Sequence, residues 1–579
     1  MDARSTSNTQ THSAAYFLLE GLNEIGIDYL FCNFGTDHAP IIEELANRKQ
    51  RGEPVPKTVR CAHENTAAHM AAGYALMTGR GQGVLVHVDV GTANTTNAMH
   101  NLYRSRLPVL LMAGKAPFTA HGELVGTRDN YVHFVQEPFD QGSLVRPYIK
   151  WEWTLPSGVV VKEALRRAHT VMHSEPKAPV YLMLPREILT EMWSDQDIRS
   201  YPAERFGNVA SSGADPKLVE RLADALINAK SPILLTSYAG RTPGASEAIL
   251  KLAEFAGIRV YEANMVSNIS HDSPCFCGFQ AGPAIGQADV GLLVDVDVPW
   301  FPRDTRASEA TFWAQIDLDV VKGGSPMWSF PSSLRLQGNS GRILEQVLEV
   351  VKAKATPAFQ QAAAARVAQF AAENAKRLER AAELAASPGK PGAINAHYLC
   401  RELGKRIAPE DVIFSEATRN TPAVQQQIPR SVAGTVVRVG GGGLGSSGGM
   451  ALGTKLARPE HMAIQIVGDG SFYFNVTDSV FAVSKQYKLP ILTVVLDNGG
   501  WSAVKESTLR VYPDGEAKAE DEFEAALAMD VDFAKVGEAF GAYGEKVTDP
   551  AQVPAAIERC LKEVRGGRTA ILHACVTRL

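Results

Sequence analysis

Residues 463–500 read AIQIVGDGSFYFNVTDSVFAVSKQYKLPILTVVLDNGG. Two short apolar runs, AIQIV and ILTVVL, flank a segment of helical spacing that closes on Leu489-Pro490. Apolar run, glycine-containing turn, helix and second apolar run is the rhythm of a parallel sheet whose buried strands are joined by crossover helices. Asp469 lies in Val467-Gly468-Asp469-Gly470-Ser471, directly after the first run. That is the carboxyl end of a strand, where open α/β sheets place their ligands. The flanking glycines let the backbone approach a phosphate, and the helix that follows supplies oriented N–H groups. The second run ends in Asp497-Asn498-Gly499-Gly500. A carboxylate oxygen, an amide oxygen and a backbone carbonyl on neighbouring strand ends suit Mg²⁺, a hard ion that prefers oxygen and shares its shell with phosphates.

Outward from this unit, residues 83–114, GVLVHVDVGTANTTNAMHNLYRSRLPVLLMAG, repeat the pattern. Asp89 precedes Pro108 by 19 residues, and Asp469 precedes Pro490 by 21. The two units read either as copies or as two products of general α/β rules. A third alternating stretch lies between them. The expected fold is therefore α/β with three doubly wound parallel-sheet domains. Residues 1–190 form the first, 191–214 a turn-rich linker, 215–350 a central domain, 351–390 an Ala/Lys/Glu/Arg-rich helical linker, and 391–579 the third.

The 579 residues carry 58 Lys+Arg against 63 Asp+Glu, a net charge of −5, with 45% hydrophobic residues. A single small binding module is excluded at this length. Without a basic stripe no nucleic-acid partner is expected, and without a long uncharged apolar stretch no membrane span. The polar start MDARSTSNTQTHSAAY has no apolar leader region, and the seven cysteines are few and odd in number, so a reducing, cytoplasmic location is expected.

The Gly-Asp-Gly segment with the Asn498 turn resembles the thiamin diphosphate (ThDP) motif, and the likeness extends over almost the whole chain. It is similar to the acetolactate synthase and benzoylformate decarboxylase-like family, with pyrimidine-binding, central and diphosphate-binding domains. The resemblance implies ThDP and Mg²⁺ as cofactors, with the metal held by Asp469, Asn498 and the carbonyl of Gly500. Gly468, Gly470 and Ser471 would then border the diphosphate. Asp497 departs from the pattern, because many members have a second Asn there. Glu64, in Cys61-Ala62-His63-Glu64-Asn65, matches the carboxylate that the family sets against the cofactor's aminopyrimidine. Leu444, in the run Gly440–Gly449 that also holds Gly442, matches the apolar wedge between the cofactor's two rings. Thr418 and Arg419, in Phe414-Ser415-Glu416-Ala417-Thr418-Arg419, resemble a diphosphate-contacting segment.

Substrate-side candidates come mostly from the first domain, which holds eight of the 14 histidines before residue 134. His87 resembles a benzoylformate decarboxylase histidine that faces the reacting centre, and a group titrating near pH 6.5 suits proton transfer there. Thr36, Asp37 and His38 are candidates for polar contacts with substrate. Gln136 resembles an active-site amide of acetolactate synthases, and Trp501 is placed to wall the pocket. His271, Cys275 and Cys277 lack a convincing fourth ligand and are read as structural.

The resemblance implies a 2-oxo acid decarboxylase or carboligase that works as a homodimer or homotetramer, with each site between two subunits. The alternatives are a ThDP-dependent lyase or hydrolase of a 2-hydroxyacyl-CoA or 1,2-diketone, and a non-catalytic FAD- or nucleotide-holding paralogue. No clear FAD fingerprint occurs in residues 215–350.

Overall fold

Val, Ile and Leu dominate the short apolar runs, and in the computed structural model those runs become three parallel sheets. Residues 10–263, 266–528 and 530–578 are described. The first sheet contains β1 (Tyr29–Cys32), β2 (Lys57–Arg60), β3 (Gln82–Val86), β4 (Val109–Lys115), β5 (Glu152–Thr154) and β6 (Val180–Pro185), in the order β2-β1-β3-β4-β6-β5. The central sheet contains β7 (Pro232–Thr236), β8 (Arg259–Glu262), β9 (Val290–Val294), β10 (Phe312–Asp317) and β11 (Leu334–Gln337), in the order β8-β7-β9-β10-β11. The last contains β12 (Val412–Glu416), β13 (Val436–Val437), β14 (Ala463–Gly468), β15 (Leu492–Asp497), β16 (Tyr543–Val547) and β17 (Ala570–Cys575), in the order β13-β12-β14-β15-β17-β16. Pairing within all three is parallel.

Counted from its own first strand, the last sheet has the same order as the first. In each, the order reverses between the first and third strands. That reversal opens the crevice in which doubly wound sheets hold ligands. Both crevices are lined by the residues that the sequence singles out, at the ends of β1 and β3 in one and of β12 and β14 in the other.

The two outer domains meet through α1 (Glu64–Thr78), which packs on α4 (Ser447–Ala457). Helix α1 is buried along most of its length and carries no single apolar face, as expected for a helix enclosed on all sides. Backbones approach closely here: a Cβ on Gly73 would lie 2.2 Å from the Met450 carbonyl oxygen, and one on Gly453 2.0 Å from that of Met70. One hydrophobic core, containing Phe31, Met70, Val84 and Leu111 with Phe414, Met450, Val480 and Ile491, therefore runs through both domains.

The helix expected in residues 351–390 is α3, Pro357–Leu384, capped by Thr356. The apolar segment before the glycine run pairs with its sheet only at Val436–Val437. The Val436 carbonyl instead accepts from Ser267 N (2.9 Å), and Ser267 Oγ accepts from Thr435 N and Val436 N, so the central domain takes up part of its backbone. No described helix is long and apolar enough to cross a membrane.

Candidate active site

At the crevice of the last sheet, Asp469 opens the short helix α5 (Asp469–Phe474) and is almost wholly buried. Burial and the Asp497 carboxylate push its carboxyl up to about 6. No cation of the described residues pairs with it. The Asn498 amide directs one terminal atom at Asp469 Oδ1 (3.0 Å) and the Gly500 carbonyl (3.0 Å), and the other at Ser502 Oγ (2.9 Å). The contacts are satisfied when Asn498 Nδ2 donates to Asp469 Oδ1 and the Gly500 carbonyl and its Oδ1 accepts from Ser502 Oγ. Turning the amide over would bring its oxygen beside the other two, and that all-oxygen donor set fits Mg²⁺. Asp497 points away: its Oδ1 accepts from Gly499 N (3.0 Å) and its Oδ2 meets His573 Nε2 (2.9 Å). It braces the turn.

Across the crevice, Thr418 Oγ1 lies 3.4 Å from Ser471 Oγ, and Thr418 takes a positive φ of 45°. Arg419 is half exposed and ion-paired with Glu506, so reaching a diphosphate would require it to leave that partner. Gly468 and Gly470 bracket Asp469, and a Cβ on Gly470 would strike the Trp501 indole at 2.5 Å. Trp501 itself is 41% exposed at the rim.

The glycine turn is held from two sides. Below it, the buried Glu416 carboxylate accepts from Gly445 N (3.1 Å), Ser446 N (2.9 Å), Ser446 Oγ (2.6 Å), Ser447 N (3.3 Å), Ser447 Oγ (2.6 Å) and Asn475 Nδ2 (2.9 Å). Above it, α2 (Asp89–Arg104) of the first domain contributes Asn97 and Asn101. Asn97 Nδ2 donates to the Leu444 carbonyl (2.9 Å), and the Asn101 side chain bonds both the N–H and the C=O of Gly443. Gly442 (φ 71°) and Gly445 (φ 97°) occupy the left-handed region, which the sharp reversal requires. Leu444 is half-buried at the apex, its backbone held at both ends. Glu416, Asn97 and Asn101 were not singled out from sequence. The i, i+4 spacing of the two asparagines was the one available sign that they share a helix face.

Glu64 is the first residue of α1 and is 7% exposed. Asn94 Nδ2 donates to its Oε2 (3.1 Å). Asn65 Nδ2 next to it donates to the Gly445 carbonyl (2.8 Å), which ties the start of α1 to the glycine turn. No hydrogen bond or ion pair joins Glu64 to Asp469 or Asn498 among the described residues.

The other crevice holds a cluster of imidazoles. Asp37 Oδ1 accepts from His87 Nδ1 (2.5 Å) and Asp37 Oδ2 from Val88 N (3.1 Å). Burial raises the Asp37 carboxyl, but the imidazoles of His38 and His87 outweigh it and hold the group below its ordinary value. Burial lowers His87, yet the hydrogen bond and charge of Asp37 outweigh that and raise it, and the nearby Gln136 side chain adds to the rise. Gln136 is therefore brought to His87, and Thr36 is exposed with its Oγ1 3.3 Å from His133 Nε2. His38 and Asp37 differ from expectation. They are 0% and 1% exposed, and His38 Nδ1 accepts from Gly35 N (3.0 Å), so neither can touch a substrate. Their place is behind His87. His133, Asp129 and Arg186 extend the cluster: Arg186 Nη2 bonds Asp129 (2.5 Å), and His133 Nδ1 lies 3.2 Å from the same carboxylate.

A cavity of about 1040 Å³ opens between the first and central domains, lined by Tyr103, Arg104, Trp300 and Phe301 among others. Arg106 and Lys322 at its floor are already paired with Asp317 and Asp297.

Comparison with known proteins finds relatives for both outer domains and for the fold as a whole. Residues 12–144 match the thiamine pyrophosphate enzyme N-terminal TPP binding domain, and residues 420–574 match the corresponding C-terminal TPP binding domain. Benzoylformate decarboxylase of Pseudomonas aeruginosa is 25% identical over 512 residues, covering 85% of this chain and 87% of that protein. The acetolactate synthase large subunit of Haemophilus influenzae is 22% identical, covering 94% and 91%. Among solved structures, benzoylformate decarboxylase from Polynucleobacter necessarius superposes with a TM-score of 0.77 at 17% identity, covering 98% of this chain and 99% of that one.

Proposed function

We infer, for a chain that belongs to the thiamine pyrophosphate-dependent enzymes of the acetolactate synthase and benzoylformate decarboxylase-like family, that its reaction is cleavage of a 2-oxo acid with release or transfer of the acyl fragment. The observation that carries this is the convergence of Asp469, Asn498 and the Gly500 carbonyl at the sheet crevice. These three would hold Mg²⁺, with Ser471, Thr418, Gly468 and Gly470 bordering the diphosphate and Leu444 supplying the apolar contact to the rings. When bound, ThDP supplies the nucleophilic carbon and the electron sink.

The chain's own residues then do the following. Glu64 Oε2 is occupied by Asn94, which leaves Oε1 to hold or release the proton exchanged with the aminopyrimidine. Asp37 fixes His87 through Nδ1, so Nε2 is the atom that gives or takes a proton on the substrate side. Gln136 and Thr36 border that proton path.

Glu64 and Asp469 make no bond within one chain, and large apolar side chains are exposed on both crevice rims: Tyr131 (77%), Phe134 (57%), Tyr473 (51%) and Tyr512 (65%). A homodimer, or a tetramer of two such dimers, would bring Glu64 of one subunit to the metal turn of the other. The reducing cytoplasm suits seven cysteines that form no disulfide.

A second activity class, cleavage of a 1,2-diketone or a 2-hydroxyacyl-CoA, is favoured only by the density of imidazoles around Asp37. A non-catalytic FAD-holding role finds room in the large cavity, and a yellow purified protein would support it. Product analysis by NMR, with ThDP, Mg²⁺ and a panel of pyruvate, branched 2-oxo acids, benzoylformate and a cyclic 1,2-diketone, separates these. Aldehyde, acyloin or acetolactate from a 2-oxo acid is the expected result. Turnover of the diketone alone would overturn the decarboxylase assignment.

A further inference from the structure

Behind the metal turn lies a cluster that the reaction does not use. Asp497 at the end of β15 and His573 and Cys575 on the neighbouring β17 each present one ligand atom, all within 4.8 Å of one another. His573 is wholly buried. Its Nε2 lies 2.9 Å from Asp497 Oδ2 and 4.0 Å from Cys575 Sγ. Strand pairing sets Asp497 directly opposite Cys575. Alternation along β17 leaves one residue between His573 and Cys575, so both side chains project from the same face.

We propose that Asp497, His573 and Cys575 form a second cation site, selective for Zn²⁺ or a similarly thiophilic divalent ion. Carboxylate, imidazole and thiolate are each zinc donors, and open zinc centres take three protein ligands with water completing the tetrahedron. Mg²⁺ has no use for the sulfur or the nitrogen. A tetrahedral centre with bonds of about 2.0–2.3 Å separates its donor atoms by about 3.3–3.6 Å. The present separations bracket that range, so small side-chain rotations close the site.

His573 Nδ1 now accepts from Phe533 N (3.3 Å), with Asp532 Oδ1 at 3.6 Å. On metal binding Nε2 gives up its proton and Nδ1 takes one, so Nδ1 leaves its hydrogen bond from Phe533 N and donates to Asp532 instead, while the Cys575 thiol releases its proton to solvent. An imidazole ligand backed by a carboxylate is the usual second layer of a zinc centre. Asp497 would at the same time turn toward the metal and off Gly499 N, which it now holds at 3.0 Å. The turn that carries Asn498 and Gly500 is thereby loosened. Zn²⁺ would act as an inhibitor that competes with the order of the Mg²⁺ turn rather than with Mg²⁺ itself. The regulatory part rests on the Mg²⁺ assignment above; the site does not.

The test uses the full-length protein with ThDP and excess Mg²⁺, titrated with Co²⁺ as the probe. A thiolate-to-cobalt charge-transfer band with intense tetrahedral d–d absorption is expected, saturating at one ion per chain. The band should vanish in Cys575→Ser and in His573→Gln, whereas Co²⁺ in an all-oxygen Mg²⁺ site gives neither feature. Absence of the band in the parent protein, or its survival in both variants, would overturn the site. Micromolar Zn²⁺ should lower turnover at least tenfold in the parent and leave Cys575→Ser active; equal inhibition of the two would overturn the regulatory role.

Discussion

Two carboxylates in similar surroundings are set to different work by single contacts. Glu64 has one oxygen taken by Asn94 and keeps the other free, whereas Asp37 has both oxygens bonded and serves only to hold His87. Glu64→Gln keeps the shape and loses the proton. Turnover should fall about 10²–10⁴-fold, the span of a general acid–base contribution, while ThDP binding followed by fluorescence quenching changes little. Asp37→Asn removes the partner that raises His87. The limb of the pH–rate profile that reports His87 should therefore move to lower pH, and an unmoved limb would exclude His87 as the titrating group. Glu416 belongs to neither kind. With six donors on one buried carboxylate, its part is to hold the glycine turn, and nothing in a Ser-Glu-Ala sequence distinguishes it from a surface glutamate.

Helices set the distances between these groups. The α1–α4 contact places the first turn of α1 against the glycine turn, and it depends on Gly73 and Gly453 lying under facing carbonyls. Gly453→Ala forces the pair apart by more than an ångström at that point. The cost should be about 1–3 kcal/mol, read as a lowered urea midpoint, and activity should fall because Glu64 moves with α1. The helix Val161–His173 supports the first sheet from outside and carries a close pair of tilted imidazoles, His169 and His173, with ring centroids 4.2 Å apart. Burial lowers His169 to about 3 and His173 to about 4. His173 Nε2 accepts from Gly81 N (3.0 Å) and Nδ1 meets the His169 carbonyl (3.0 Å), so an added proton has no place. Both folded values lie below the unfolded value near 6.5. Their contribution is complete above pH 6.5 and is lost as pH falls toward 4, by up to about 1.4 kcal/mol per pH unit for each ring. Denaturation at pH 7.5, 6 and 5 should show the loss, and a double His169→Gln, His173→Gln variant should flatten it.

The whole molecule is two sheets of one topology clasped across a shared core, with a third sheet bonded to both. Arg106 leaves the first domain to pair with Asp317 of the central one, and Ser267 of the central domain bonds the strand leading to the glycine turn. The three sheets are thus joined into one body by packing and side-chain bonds. The aromatic side chains exposed around both crevices are what such a body would bury against a second copy. Sedimentation equilibrium at micromolar concentration should give a dimer or a tetramer. A fully active monomer would exclude a site shared between subunits.

From the sequence alone came the α/β class, the three alternating units, and the family resemblance carried by the Gly-Asp-Gly turn, the Asn498 turn, Glu64 and Leu444. These were legible because strand period, turn glycines and a carboxylate at a strand end are local properties, written in consecutive residues. Tertiary structure alone decided the equal strand order of the outer sheets, the burial that withdraws Asp37 and His38 from any substrate, the pairing of Arg419 with Glu506, and the roles of Glu416, Asn97 and Asn101. It also set Asp497, His573 and Cys575 side by side. Each of these joins residues far apart in the chain, and their distance is fixed by how sheets and helices pack, which no short stretch of sequence encodes.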